Sequence, residues 1–318
     1  MRRGSPRGGP DASVHVEIAD GIAVIALDGH GRAPRFTDQV EADLDNAFAL
    51  CDIRSDVRVI VLTSRDDAFC TGLDLGPGAA TLADWRRSPT APAGTVFAVE
   101  GEDLPVRRDG GGRVALRIFE SAVPVIAAVP GPAIGVGATM LLPCDVRLAS
   151  TAASFGFVFG RRGLPPESCS SWFLPRLVGM PTALDWVLGA RTVDADEALA
   201  AGLVRSVHPP EALMPAALRL ARELADECSP TATSVARRLL WSMVGAPHPM
   251  AAHRAETWAL NRLGVGTDAT EGIEAFLARR PTSFPDRDPG TVADALRLDV
   301  LPHPMYHPEP HPTTEENP

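Results

Sequence analysis

The chain has 318 residues, 45% hydrophobic and 22% charged, enough to bury a full core in one large domain or two modest ones. Its formal net charge of −10 argues against non-specific nucleic-acid binding and reads as an acidic, solubilising surface. No apolar run approaches the ~20 residues that span a bilayer, and five scattered cysteines without a CxxC (Cys51, Cys70, Cys144, Cys169, Cys228) read as reduced thiols of a cytoplasmic protein.

In chain order, residues 1–13 (MRRGSPRGGPDAS) are basic with no apolar segment behind them, and read as a disordered lead-in rather than a signal peptide. Two β-type runs, 14–18 and 22–27, flank Asp20-Gly21, a hairpin signal. After a polar loop carrying Arg32 and Arg35, Thr37 or Asp38 caps a helix in which Val40, Leu44, Ala47, Phe48 and Cys51 recur at helical spacing. The run 57–63 (VRVIVLT) reads as a buried strand, followed by the loop 64–75. Residues 76–112, rich in Pro and Gly and ending on Gly110-Gly111-Gly112, read as a lid-like insertion. A helix is expected over 113–121.

The stretch 123–149 (VPVIAAVPGPAIGVGATMLLPCDVRLA) then gives a strand, a Pro/Gly hinge, a glycine-spaced turn at Gly135-Val136-Gly137, a short apolar helix and a second strand from Asp145. A strand feeding a Gly-rich turn into a helix start aims free backbone N–H groups at whatever lies above, favouring a phosphate or a developing oxyanion if anything. After the stretch 153–159, Thr192-Val193-Asp194 is expected to cap a helix over 195–201 that stops at Gly202, and a last short strand is expected over 203–208. From Pro210 the pattern is helical over 211–227, 231–244, 248–264 and 270–280. Strands alternating with helices indicate α/β architecture. The expected organisation is an α/β core over 14–209 with the insertion at 76–112, a helical region over 210–280, and an extended or disordered Pro-rich tail over 281–318. His303, His307 and His311 have metal-ligand spacing for a helix, but the interleaved prolines forbid that helix.

The segments VRVIVLTSRDDAFCTGLDL and VIAAVPGPAIGVGATMLLPCDVRLA, in this order with a lid-like insertion between, resemble the two signature segments of the enoyl-CoA hydratase/isomerase (crotonase) family. RTVDADEALAAGLV and EGIEAFLARRPTSF resemble its later segments, so the likeness runs over roughly residues 14–285. The resemblance implies a crotonase-type β-β-α spiral core with a C-terminal helical region that assembles a homotrimer or dimer of trimers. It implies an acyl-CoA substrate and no separate cofactor or metal, with CoA entering as part of the thioester.

Carried over by position, the backbone N–H groups of Leu73 and Val136 form an oxyanion hole. Thr71, Gly72, Asp74, Gly135 and Gly137 shape the two loops around the substrate. Two fixed donors suit the enolate that forms when a thioester loses its α-proton, each worth roughly 3–4 kcal/mol in comparable acyl chemistry. Arg32, Arg279 and Arg280 fall where the family contacts CoA phosphates, although basic loop residues are commonly just solvated.

The family's hydratases use two glutamates; Thr139 and Phe159 stand at those positions here. Glu167, in PPESCSS, instead resembles the single catalytic glutamate of the family's Δ3,Δ2-enoyl-CoA isomerases, and an allylic shift needs only one base. Set among Phe155, Phe157, Phe159, Trp172 and Phe173, such a carboxyl would have its pKa raised toward neutrality. The alternative is that Glu167 caps a helix over 168–178. Asp145 reads as a structural tie, and Arg161 and Arg162 as exposed pairing groups. Gly135-Val136-Gly137 lacks a third glycine for a dinucleotide site, and G-x-S-x-G is missing, which sets aside nicotinamide and serine-hydrolase chemistry. The expectation is a double-bond isomerase, with hydration or non-catalytic acyl-CoA binding as alternatives.

Overall fold

The computed structural model describes residues 12–75, 96–97 and 106–296. The lead-in, most of the insertion and the histidine-bearing tail therefore lie outside the described residues.

A six-stranded sheet runs in the order β1-β2-β3-β6-β8-β11, built from β1 (Ser13–Ala19), β2 (Ile22–Asp28), β3 (Val59–Ser64), β6 (Val125–Val129), β8 (Val146–Ser150) and β11 (Ser206–His208). β1 and β2 pair antiparallel around Asp20-Gly21, both at positive φ (48° and 80°), as a tight hairpin demands; β2, β3, β6, β8 and β11 are mutually parallel. The near-continuous apolar runs in β3 and β6 follow from burial on both faces. Ile60 and Leu62 pack with helix α1 (Asp38–Ile53), while Val59 and Val61 pack on the long helix Pro210–Glu227. A three-stranded sheet, β10-β9-β7 (Thr192–Asp194, Ser154–Gly156, Ala133–Ile134), lies beyond the first. The short strands β4 (Val96–Phe97) and β5 (Val106–Arg107) pair with each other.

Two boundaries differ from expectation for clear reasons. The glycine triplet is no loop: α2 spans Gly110–Phe119, because the Asp109 carboxylate accepts from Gly112 N (2.5 Å) and starts the helix early. The stretch from Pro281 is not wholly extended either, since a short helix forms over Pro289–Ala295 and the buried Arg287 donates to Asp52 O (2.6 Å) and Arg54 O (2.9 Å). The helix Met180–Leu188 is not among those expected; the remaining helices follow the expected ranges within a few residues, α1 being capped by Thr37, whose hydroxyl accepts from Val40 N. Among the described residues no helix is long and apolar enough to cross a membrane.

Asp145 is a structural tie. Its carboxylate accepts from Val125 N (2.7 Å), Arg237 Nε (2.7 Å) and Trp241 Nε1 (2.9 Å). Arg237, 6% exposed on the helix Pro230–Met243, also donates to the carbonyls of Ile118, Phe119 and Ser121 at the end of α2. One side chain thus joins the C-terminal helices to the helix that frames the site. Arg237→Leu leaves those acceptors unpaired in a dry place, and should lower unfolding free energy by about 3 kcal/mol, read by urea denaturation.

Candidate active site

Loops 65–75 and 130–136 leave the carboxyl ends of the neighbouring parallel strands β3 and β6, where α/β sheets tend to bind ligands. They are laced together: Ile134 N donates to Cys70 O (2.9 Å), and Phe69 N and Cys70 N donate to Pro132 O (3.1 and 3.2 Å). Side chains are excluded from this seam. A Cβ on Gly131 would run into Asp67 O, and one on Gly137 into Cys70 O. Gly72 (φ 96°) and Gly135 (φ 59°) take backbone angles that other residues rarely adopt.

The lacing leaves two donors spare. Among the described residues, neither Leu73 N nor Val136 N donates a hydrogen bond. Val136 opens the short helix α3 (Val136–Thr139), so its N–H has no intrahelical acceptor. Leu73 lies between Phe36 N→Gly72 O (2.8 Å) and Asp74 N→Phe36 O (3.0 Å), which fix its peptide without using its own N–H.

Both residues line a cavity of about 790 Å³ that Glu167 also lines. Thr71, Gly72, Asp74, Gly135 and Phe159 are in its wall, with Asp74 paired to Arg35 (2.7 Å). Gly137 is not; it is the contact point with Cys70. Trp172 is not either. It packs with Phe119, Phe173 and Trp241, while Phe155 and Phe157 belong to the core. Of the five aromatic residues expected around Glu167, Phe159 alone lines the cavity, because the edge-to-face packing of Trp172 and Phe173 uses their rings up elsewhere. Arg32 and Arg279 are exposed and outside the lining, whereas Arg162 is in it.

Glu167 caps no helix. The following helix, α4, starts at Ser170, and Glu167 contributes only its main-chain carbonyl, to Ser170 N and Oγ. Ser168 (φ 56°) and Cys169 (φ 55°) are left-handed, a costly backbone for two non-glycine residues in succession. The Glu167 side chain meets two hydroxyls: Thr139 Oγ1 donates to Oε1 (2.8 Å), and Ser168 Oγ donates to Oε2. Thr139, fully buried at the position of the family's first glutamate, thus holds the carboxyl rather than replacing it. Burial raises the Glu167 pKa to about 7, partly opposed by these two hydrogen bonds and reinforced by the Asp109 carboxylate.

Two acids in the wall went unread in the sequence. Asp109 faces Glu167, and its Oδ1 accepts from Ser168 N (3.2 Å). An Asp just before an apolar helix is a cap signal, hidden here by treating 76–112 as one loop. Glu41, 4% exposed, lies 2.6 Å from Arg113 Nη1, and burial raises its pKa. Its signal was an acid next to Val40 on a buried stripe. Gly111 separates the clusters: a Cβ there would strike Glu167 Oε2, Ser168 Oγ and a Val136 methyl. The glycine triplet thus lets a helix N-terminus close on the carboxyl.

A carboxyl titrating higher in the folded than the unfolded protein binds protons preferentially when folded. Its contribution is present at acid pH and lost as pH rises from the ordinary glutamate range through about 7. Glu167→Gln should therefore stabilise the protein at pH 8 relative to wild type by about 2 kcal/mol and do little at pH 4, measured by denaturant melts at both.

The sequence profile of the family described as enoyl-CoA hydratase/isomerase matches residues 17–89 and 107–287. The chain is 33% identical over 279 residues to the enoyl-CoA hydratase ACTT3 of Alternaria alternata, covering 87% of this chain and 85% of that one. It is 30% identical over 282 residues to the 1,2-epoxyphenylacetyl-CoA isomerase of Escherichia coli, covering 85% and 96%. Its fold superposes on the crystal structure of a probable enoyl-CoA hydratase/isomerase from Mycobacterium abscessus with a TM-score of 0.76 at 32% identity, covering 87% of this chain and all of that one. With a crotonase-type α/β core and helical C-terminal region in place, this chain belongs to the enoyl-CoA hydratase/isomerase family and is an acyl-CoA enzyme of that family.

Proposed function

We propose that the enzyme moves a double bond of an acyl-CoA from Δ3 to Δ2, through an enolate whose oxygen is held by Leu73 N–H and Val136 N–H, with Glu167 as the base. The observation that carries this reading is one neutral-range carboxyl in the same cavity as two spare main-chain donors. The thioester oxygen accepts both N–H groups. Glu167, ionised in about half the molecules near pH 7, takes a proton from C2, and negative charge moves onto that oxygen. The same carboxyl returns the proton at C4. Thr139 and Ser168 hold the carboxyl oxygens throughout, so its orientation is set before substrate arrives.

Hydration of a 2-enoyl-CoA is the second reading. The hydratase name of the Alternaria relative favours it, as does the Asp109 carboxyl beside Glu167.

The C-terminal helices carry exposed Leu240, Leu260, Ile273, Phe276 and Leu277, the last two 80% and 74% exposed in the single chain. An apolar face of this kind supports assembly into a homotrimer or a dimer of trimers. Phe276→Glu should lower the assembly state seen by light scattering; an unchanged mass would remove that face from the interface.

Glu167→Gln should lower 3-enoyl-CoA isomerisation by 10²–10⁴-fold with acyl-CoA affinity retained, as measured by product chromatography and calorimetry. Thr139→Val should cost about tenfold in kcat with little change in KM, the signature of a positioning group. Full activity of Glu167→Gln would remove that residue from the mechanism.

A further inference from the structure

The cavity holds a carboxyl pair. Asp109 and Glu167 line the same cavity and are bonded to the same residue, Ser168. Ser168 braces both, its N–H donating to Asp109 Oδ1 (3.2 Å) and its hydroxyl to Glu167 Oε2. Their surroundings differ. Asp109 accepts two main-chain N–H groups, Gly112 N and Ser168 N, at the start of a ten-residue helix, where negative charge is favoured. Glu167 accepts only hydroxyls and is desolvated.

We propose that Asp109 is the second proton carrier of this site, so that the enzyme adds water across the double bond of 2-enoyl-CoA as well as shifting double bonds. The proposal rests on the reading of Glu167 given above. The bookkeeping of atoms closes. Asp109 takes a proton from water as its oxygen bonds to C3, and Glu167 gives its proton to C2, so H and OH are added across the former double bond. The proton gained by Asp109 is then returned to Glu167 within the cavity, which restores the starting state. Asp109 lies outside the four signature segments quoted from the sequence, although within the matched stretch 107–287, and the family's two hydratase positions are Thr139 and Phe159 here.

The two reactions need opposite states of Glu167, ionised to take the C2 proton in isomerisation and protonated in hydration. Charged groups around the pair include Asp38, Asp74, Arg107 and Arg162 in the cavity wall. Arg108 and Arg113 flank Asp109 on its own segment, Glu41 faces it from α1, and the Cys70 and Cys169 thiols lie near Glu167 with their pKa values raised by burial. Burial raises the Glu167 pKa to about 7.

The test uses the full-length wild-type protein and Asp109→Asn, which retains a helix-capping side chain, with 2-enoyl- and 3-enoyl-CoA of short, medium and long chain over pH 5.5–8.5 (about one and a half units either side of the Glu167 midpoint). In wild type, kcat/KM for isomerisation should rise through pH 7 and that for hydration should fall through it. In Asp109→Asn, hydration should drop at least about 100-fold and by at least about tenfold more than isomerisation does, and the isomerisation midpoint should move to lower pH because a negative neighbour is gone. Equal losses in both reactions with an unmoved midpoint would leave Asp109 a helix cap only and overturn the proposal. A wild type that isomerises but does not hydrate overturns it while leaving the Glu167 reading standing. One that turns over neither substrate overturns both. The wild-type profiles carry the test even if the variant folds poorly.

Discussion

The site depends on a seam of main-chain hydrogen bonds between two loops more than sixty residues apart. Ile134 N bonded to Cys70 O, with Phe69 N and Cys70 N bonded to Pro132 O, fixes both loops as extensions of adjacent parallel strands. Backbone that is fully paired in this way cannot swing, and the residues just beyond the seam inherit its rigidity. Leu73 N and Val136 N are left over at the edge, one because its neighbours take the pairing with Phe36, the other because it opens a helix. Gly131 and Gly137 are where the seam closes, since the space a Cβ would need is occupied by carbonyl oxygens. Donors held this way need no reorganisation when charge develops, which is the condition for strong electrostatic stabilisation.

Around that edge the protein solves a second problem, keeping a carboxyl dry and aimed. An isolated buried carboxylate is costly, and here its pKa rises toward neutrality in response. Two hydroxyl donors and two strained residues, Ser168 and Cys169, keep the carboxyl turned inward rather than toward the helix that follows. The glycine triplet at the start of α2 lets the helix approach without a side chain, and its cap brings a second acid into the cavity wall. Stability is given up locally to hold groups in reactive states, as functional sites commonly require.

Much of this was legible in the sequence where local chemistry and tertiary need agree. The hairpin at Asp20-Gly21, the doubly buried strand β3 and the glycine turn at 135–137 are readable because only one backbone conformation suits each. Glu167 was legible through family resemblance, but its partners were not. Thr139 and Ser168 become ligands of one carboxyl only after residues 28 apart are folded together. The aromatic lining was misread because composition cannot tell whether a ring faces a cavity or another ring; Trp172 and Phe173 pack on each other. Asp109 was hidden by the glycines after it, which suggest a loop until the cap makes them a helix turn.

The central claim is that two main-chain N–H groups polarise one thioester oxygen. Infrared difference spectroscopy of bound 2-enoyl-CoA, labelled with carbon-13 at the thioester carbonyl, reads that oxygen directly. The account requires the carbonyl stretch to move to lower frequency on binding than in water. A bound ligand whose carbonyl stretch stays at its solution frequency, or moves higher, would contradict it.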